Sequence, residues 1–257
     1  MSGEALNLSI FGDELTTEQL VQLARVAEQA ERYDDMCKFM KALVQKKTEL
    51  SVDERNLLSV AYKNVVGARR ASWRTLNLDE HKVNELVGVY RQQIEKELSA
   101  ICNEVLELLK EFLLPSVKDR NDESEVFYLK MTGDYYRYLS EFTPGNADSE
   151  SALQAKKHYQ QALDMAKSNL HETHPTRLGL ALNYSVCYFE ILNDADKACA
   201  LAREAFEEAI QKLDSLGNTN YKDSTLIMQL LRDNLTLWQT EVQEGRDVKV
   251  EDVDVEP

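Results

Sequence analysis

The chain has 257 residues, with 45 acidic and 30 basic side chains and a net charge of −15. That charge argues against general nucleic-acid binding, which needs a net positive surface to meet phosphates. Only 9 glycines and 4 prolines, with 43% hydrophobic and 29% charged residues, favour long helices around a buried core over a β-sandwich or barrel.

Residues 1–16 show weak periodicity and are expected to form a flexible arm. From Thr17 the pattern turns helical, with Leu20, Leu23, Ala24 and Ala27 on one face. A second helix is predicted from Tyr33 to Lys47. Ser51, followed three residues later by Glu54, is a capping box that opens a third helix to Leu76. A fourth covers 82–113. Its residues Ile94, Leu98, Ile101, Val105, Leu108 and Phe112 keep the 3.5-residue spacing of a bundle seam, and Pro115 is expected to stop it. A fifth runs from Glu123 to Phe142, ended by Thr143-Pro144-Gly145. A sixth spans 149–170. Pro175 suits the first turn of a seventh, to Leu192. The eighth covers 194–215, and a turn over 217–220 leads to the ninth, 222–243. The acidic tail, 241–257, is expected to be disordered. No β alternation is present. About nine antiparallel helices with short loops make one all-α domain or an α-solenoid.

No run approaches about 18 apolar residues, so no membrane span is expected. Met1–Glu4 lack a basic segment followed by an apolar one, so no signal peptide is expected. Cys37, Cys102, Cys187 and Cys199 form no C-x-x-C pair and sit among apolar neighbours, as thiols of a reducing compartment do. The expected location is cytoplasmic, or also nuclear. Phosphate-binding glycine loops and nucleophile elbows are absent. His171-Glu172-Thr173-His174 has its histidines three apart rather than four and precedes a proline, so it reads as a loop and not a zinc helix. The sequence therefore predicts no enzyme, no metal and no cofactor.

The basic residues carry more information. Lys63, Arg70 and Arg74 stand at i, i+7 and i+11, within about 40° of one another on the third helix. Gly67 lies between them and costs a helix interior about 1 kcal/mol, which invites a packing or ligand-approach reason. On the fifth helix Lys130 and Arg137 are seven apart, Tyr138 follows, and Gly133 is again internal. These sets read either as solvated faces or as an anion site in which arginine forks, a lysine and a tyrosine hydroxyl meet phosphate oxygens. Gly179, Leu182, Asn183, Val186 and Glu190 share a face of the seventh helix. Leu226, Leu230, Asn234 and Trp238 step by four along the ninth. Each face is apolar with one asparagine, which is suited either to a core position or to gripping an extended peptide backbone. A basic wall opposite an apolar one describes a groove for a phosphorylated peptide.

Several runs resemble the 14-3-3 proteins: Val26–Met36 (VAEQAERYDDM), Arg55–Arg70 (RNLLSVAYKNVVGARR), Phe127–Lys130 (FYLK), Gly133–Tyr138 (GDYYRY), Arg177–Asn183 (RLGLALN) and Tyr221–Leu235 (YKDSTLIMQLLRDNL). The similarity spans about residues 18–240. It implies nine antiparallel helices in a cup-shaped protomer with an amphipathic groove, paired as a homodimer or as a heterodimer with a paralogue. It implies that Lys63, Arg70, Arg137 and Tyr138 hold a phosphoserine or phosphothreonine of a client protein, supported by Arg74. Asn183 and Asn234 would bond the peptide backbone. Lys130, Gly179, Leu182, Val186, Glu190, Leu226, Ile227, Leu230 and Trp238 would line the groove. The chain departs from the family in a longer amino-terminal arm, a shorter 73–90 stretch, and Gln93 where members carry a basic partner for Asp35. Arg69-Arg70-Ala71-Ser72 resembles a basophilic kinase site, so Ser72 is a candidate regulatory phosphosite. The expected organisation is an arm (1–16), a helical domain (17–240) and a tail (241–257). The alternative is a tetratricopeptide-like scaffold for unphosphorylated peptides, although no 34-residue period is visible.

Overall fold

The computed structural model describes residues 6–11, 14–82, 84–143, 146–213 and 221–244. Among them every regular element is helical. They gather into two compact units, Met1–Ser116 and Val117–Pro257.

In the first unit a short 3-10 helix, Leu8–Phe11, precedes α1 (Thr17–Gln29), α2 (Tyr33–Lys46), α3 (Val52–Leu76), α4 (Asp79–Lys82) and α5 (Glu85–Leu108). Helix starts follow side-chain chemistry. Thr16 with Gln19, and Ser51 with Glu54, form reciprocal capping boxes that satisfy otherwise orphaned N–H groups. Part of the amino-terminal arm is docked on α2: the Phe11 ring meets Phe39 edge-on at 5.9 Å, and Glu14 pairs with Lys46. Helices α1, α2 and α3 pack in succession and α3 packs on α5. Leu20, Met36, Met40, Leu43, Leu58, Ala61, Leu98 and Cys102 fill the core. At its edge Glu104 accepts from the Tyr62 hydroxyl (2.7 Å) and from Lys41 (2.6 Å).

Pro115 does not stop the long helix. Proline lacks an N–H, and its ring would meet the carbonyl four residues back. The chain widens instead. Leu109–Leu113 form one π turn in which the Leu114 N–H donates to the Leu109 carbonyl, and helix resumes as α6 (Leu114–Val117). Pro115 thus falls in a first turn, where no N–H is required.

The second unit contains α7 (Glu123–Ser140), a 3-10 turn at Asn146–Asp148, α8 (Glu150–Asn169), α9 (Pro175–Val186), α10 (Ala195–Gln211) and α11 (Tyr221–Glu244). Asp122, Ser149, His174 and Asp194 cap four of these, and Pro175 occupies the first turn of α9 as its fixed φ favours. A π turn at Cys187–Ile191 extends α9. Helix α7 packs on α8 and α9, while α9, α10 and α11 pack on one another. The segment 171–174 is a loop before α9, as its spacing predicts. Ser224 of α11 donates to the Thr173 carbonyl of that loop, 2.7 Å away. The 217–220 turn and residues 245–257 of the acidic tail lie outside the described residues, and the last helix reaches Glu244. All four cysteines are free thiols; Cys199 is only part-buried. No helix among the described residues is long and apolar enough to cross a membrane.

Candidate functional site

In the first unit α3 carries Lys63, Arg70 and Arg74 on one face, as their spacing requires. Arg70 is buried, and Lys63 and Arg74 are half-buried. A Cβ built on Gly67 would meet no atom within 4 Å, so close helix packing does not account for that glycine. Ser72 is exposed on the same helix, its hydroxyl donating to the Ala68 carbonyl at 3.0 Å.

In the second unit α7 is buried along most of its length. Lys130 and Asp134, one turn apart, pair at 2.9 Å. The other carboxylate oxygen of Asp134 accepts two hydrogen bonds: from the Tyr159 hydroxyl of α8 (2.5 Å) and from the Asn183 amide of α9 (2.9 Å). Arg137 is fully buried. Its Nε donates to the Tyr159 oxygen at 3.2 Å, and its guanidinium carbon stands 4.9 Å from the Tyr138 ring centroid. A Glu141 carboxylate oxygen lies 4.0 Å from Arg137 Nη1. A buried guanidinium is costly unless its donors are met; here the Tyr159 oxygen, the Tyr138 ring and the Glu141 carboxylate stand against it.

Tyr159 reaches this position because Gly133 has no side chain. A Cβ at Gly133 would come within 2.7 Å of the Tyr159 ring. The ring also stacks on Tyr184 at 5.3 Å, and Tyr184 stacks on Tyr188 at 4.6 Å. Burial, and then the neighbouring Asp134 charge, push the Tyr159 hydroxyl well above its usual pKa, so it remains a protonated donor.

Helices α9 and α11 bring the remaining candidates of this unit together. Leu182, Asn183, Val186 and Ile227 are buried, Leu230 and Asn234 are half-buried, and Leu226 is exposed. Gly179 lies against Lys130 and Ile227: a Cβ there would sit 3.6 Å from Lys130 Cε and 4.0 Å from Ile227 Cδ1. Trp238 is fully buried and stacks on Phe189 at 4.9 Å. Its indole N–H has no hydrogen-bond partner among the described residues. Glu190 is half-buried and falls inside the π turn.

Sequence reasoning missed Asp134 and Tyr159. Asp134 had a signal, standing four residues after Lys130 and three before Arg137. Tyr159 had none. Among the described residues no group of histidines, cysteines and carboxylates is arranged to hold a metal ion.

The family model described as 14-3-3 protein matches residues 23–239. The chain belongs to the 14-3-3 family. It is 58% identical to 14-3-3 protein zeta of Xenopus laevis over 231 residues, covering 88% of this chain and 94% of that protein. It is 56% identical to 14-3-3-like protein D of Nicotiana tabacum over 245 residues, covering 91% and 98%. It is also 56% identical to 14-3-3 protein beta/alpha of Pongo abelii over 231 residues, covering 88% and 93%. Members of the 14-3-3 family are non-enzymatic adaptors that bind client proteins, and the all-helical architecture here is that of the family.

Proposed function

We propose that this adaptor recognises its clients through phosphoserine or phosphothreonine, with Lys63, Arg70, Arg137 and Tyr138 as phosphate ligands and Arg74 in support. Asn183 and Asn234 bond the client backbone, and Lys130 and Glu190 contribute polar contacts beside it. The observation that carries the reading is the wholly buried Arg137, held at Nε by a neutral oxygen, beside an aromatic ring and a Glu141 carboxylate, in a chain whose net charge is −15. A protein of that charge repels anions at long range, so a local concentration of guanidinium and ammonium groups is what an anionic ligand needs. Phosphate adds about two negative charges and three acceptor oxygens, which arginine forks match.

We propose further that two copies pair through the start of α5. Leu86, Val89 and Tyr90 stand at i, i+3 and i+4, and are 80%, 66% and 56% exposed. An apolar stripe of that kind marks an interaction surface. The four free thiols suit a reducing compartment, and we place the adaptor in the cytoplasm.

Fluorescence anisotropy with an arginine-rich phosphoserine peptide and its unphosphorylated twin tests the phosphate reading. The wild type is expected to bind only the phosphorylated form. Lys63→Glu removes one charge and inserts its opposite, and is expected to weaken binding at least a hundredfold, since charge-assisted contacts are each worth about 1.5–3 kcal/mol. Equal binding of the two peptides would move the reading to a scaffold for unphosphorylated segments.

A further inference from the structure

We propose that Tyr159 is a positioning residue of the phosphate site, its hydroxyl aiming the Arg137 guanidinium while keeping the Asp134 carboxylate off it. The inference rests on the phosphate reading above and assigns a role to a residue that touches no ligand in it. The bonds form a chain in one direction. The Tyr159 hydroxyl donates to Asp134 at 2.5 Å and accepts from Arg137 Nε at 3.2 Å. Donation to a carboxylate polarises the hydroxyl and makes its oxygen a better acceptor, so the two bonds strengthen each other.

The alternative arrangement shows what the tyrosine does. A carboxylate bonded directly to Arg137 would hold the side chain equally well, but would cancel the charge that a phosphate needs. With a neutral oxygen interposed at Nε, the arginine is fixed and its charge is not neutralised from that edge; the Glu141 carboxylate stands 4.0 Å from Nη1. The Asp134 charge is instead directed to Lys130 (2.9 Å) and to the Asn183 amide (2.9 Å). One buried unit therefore fixes the phosphate-binding arginine and the backbone-binding asparagine in a common frame. It also explains Gly133, because any Cβ there would displace the Tyr159 ring, coming within 2.7 Å of it.

The test is Tyr159→Phe in the full chain, with Gly133 untouched. Phenylalanine keeps the ring and its stacking and loses only the hydroxyl. Three quantities are compared with wild type: affinity for the phosphoserine peptide, melting temperature, and the Arg137 Nε–H signal in a nitrogen-15 spectrum of the arginine side chains. The expected result is an approximately tenfold loss of affinity, a melting temperature close to wild type, and an Arg137 Nε–H signal that shifts and exchanges faster with water. Wild-type affinity, or an unmoved Arg137 signal, overturns the proposal. So does an affinity loss accompanied by a broad loss of dispersed signals, which marks a merely structural role. If the wild type itself fails to separate the phosphorylated peptide from its twin, the phosphate reading is at fault and the proposal falls with it.

Discussion

Two glycines in the middle of helices look alike in the sequence and differ in their surroundings. Gly133 faces the Tyr159 ring, where a Cβ would come within 2.7 Å, whereas a Cβ at Gly67 meets nothing within 4 Å. Alanine in place of a helix-interior glycine gains about 1 kcal/mol from backbone entropy. At Gly67 that gain stands alone, so Gly67→Ala is expected to raise the melting temperature by about 2–4 °C. At Gly133 the added methyl forces the buried ring to move, and overpacking of this kind costs about 1–3 kcal/mol. Gly133→Ala is therefore expected to melt lower than wild type, and thermal denaturation of the pair reads both signs. If Gly67 is retained for close approach of a client, Gly67→Ala will bind phosphopeptide less well despite its higher melting temperature. The same contrast shows what could be read from sequence. Lys130 and Arg137 announce themselves by charge at helical spacing along α7, and Asn183 by standing alone on an apolar face. Tyr159 is one of 11 tyrosines, and its role arises from packing between α7 and α8 that no one-dimensional pattern records.

Helix starts were legible and helix interiors less so. The Ser51/Glu54 capping box predicts the start of α3, because its chemistry is local: four residues supply both bonds. The π turns at Leu109–Leu113 and Cys187–Ile191 were not legible, since a 3.6-residue template assumes the hydrogen-bond register that they break. The capping box also carries a pH signature. Burial pushes the Glu54 carboxyl up, but hydrogen bonds from Lys47 and Ser51 and the Lys47 charge outweigh it and leave the pKa below the usual 4.5. A folded value below the unfolded one means that this stabilisation is fully present above about pH 4.5 and is lost as pH falls through the folded value. Glu54→Gln keeps the geometry of the box but not its charge. It should be less stable than wild type at pH 7, by about 1 kcal/mol, and the two melting temperatures should converge as pH is lowered below 4.5. A difference that stays constant across that range would remove the carboxylate from the account.

At the scale of the whole molecule the question is what covers α5. The resemblance implies a basic partner for Asp35 where this chain has Gln93, and both residues are engaged within the chain. Asp35 pairs with Arg32 and lies 3.8 Å from Lys38, while Gln93 donates to Glu97 at 3.2 Å. An exposed ion pair contributes only about 0–1 kcal/mol, so its loss does not prevent pairing. The apolar stripe has more to contribute, at about 25 cal/mol per Å² buried. Val89, 66% exposed at its centre, is the position to change. Val89→Asp is expected to sediment as a monomer where the wild type is a dimer, because a carboxylate buried in that contact has no partner. The monomer should bind a single-site phosphopeptide as the wild type does, since α5 carries none of the proposed phosphate ligands. For a client with two phosphosites the outcome differs. A dimer converts the second contact into an intramolecular one, an advantage of about 10²–10⁴ when the linker spans the sites, and the monomer forfeits it. Ser72→Glu, which puts negative charge on the exposed face of α3, provides the comparison. If phosphate at Ser72 splits the dimer, this variant loses the doubly phosphorylated client in the same proportion and retains the single-site peptide. If it stays dimeric and retains both, Ser72 is no switch.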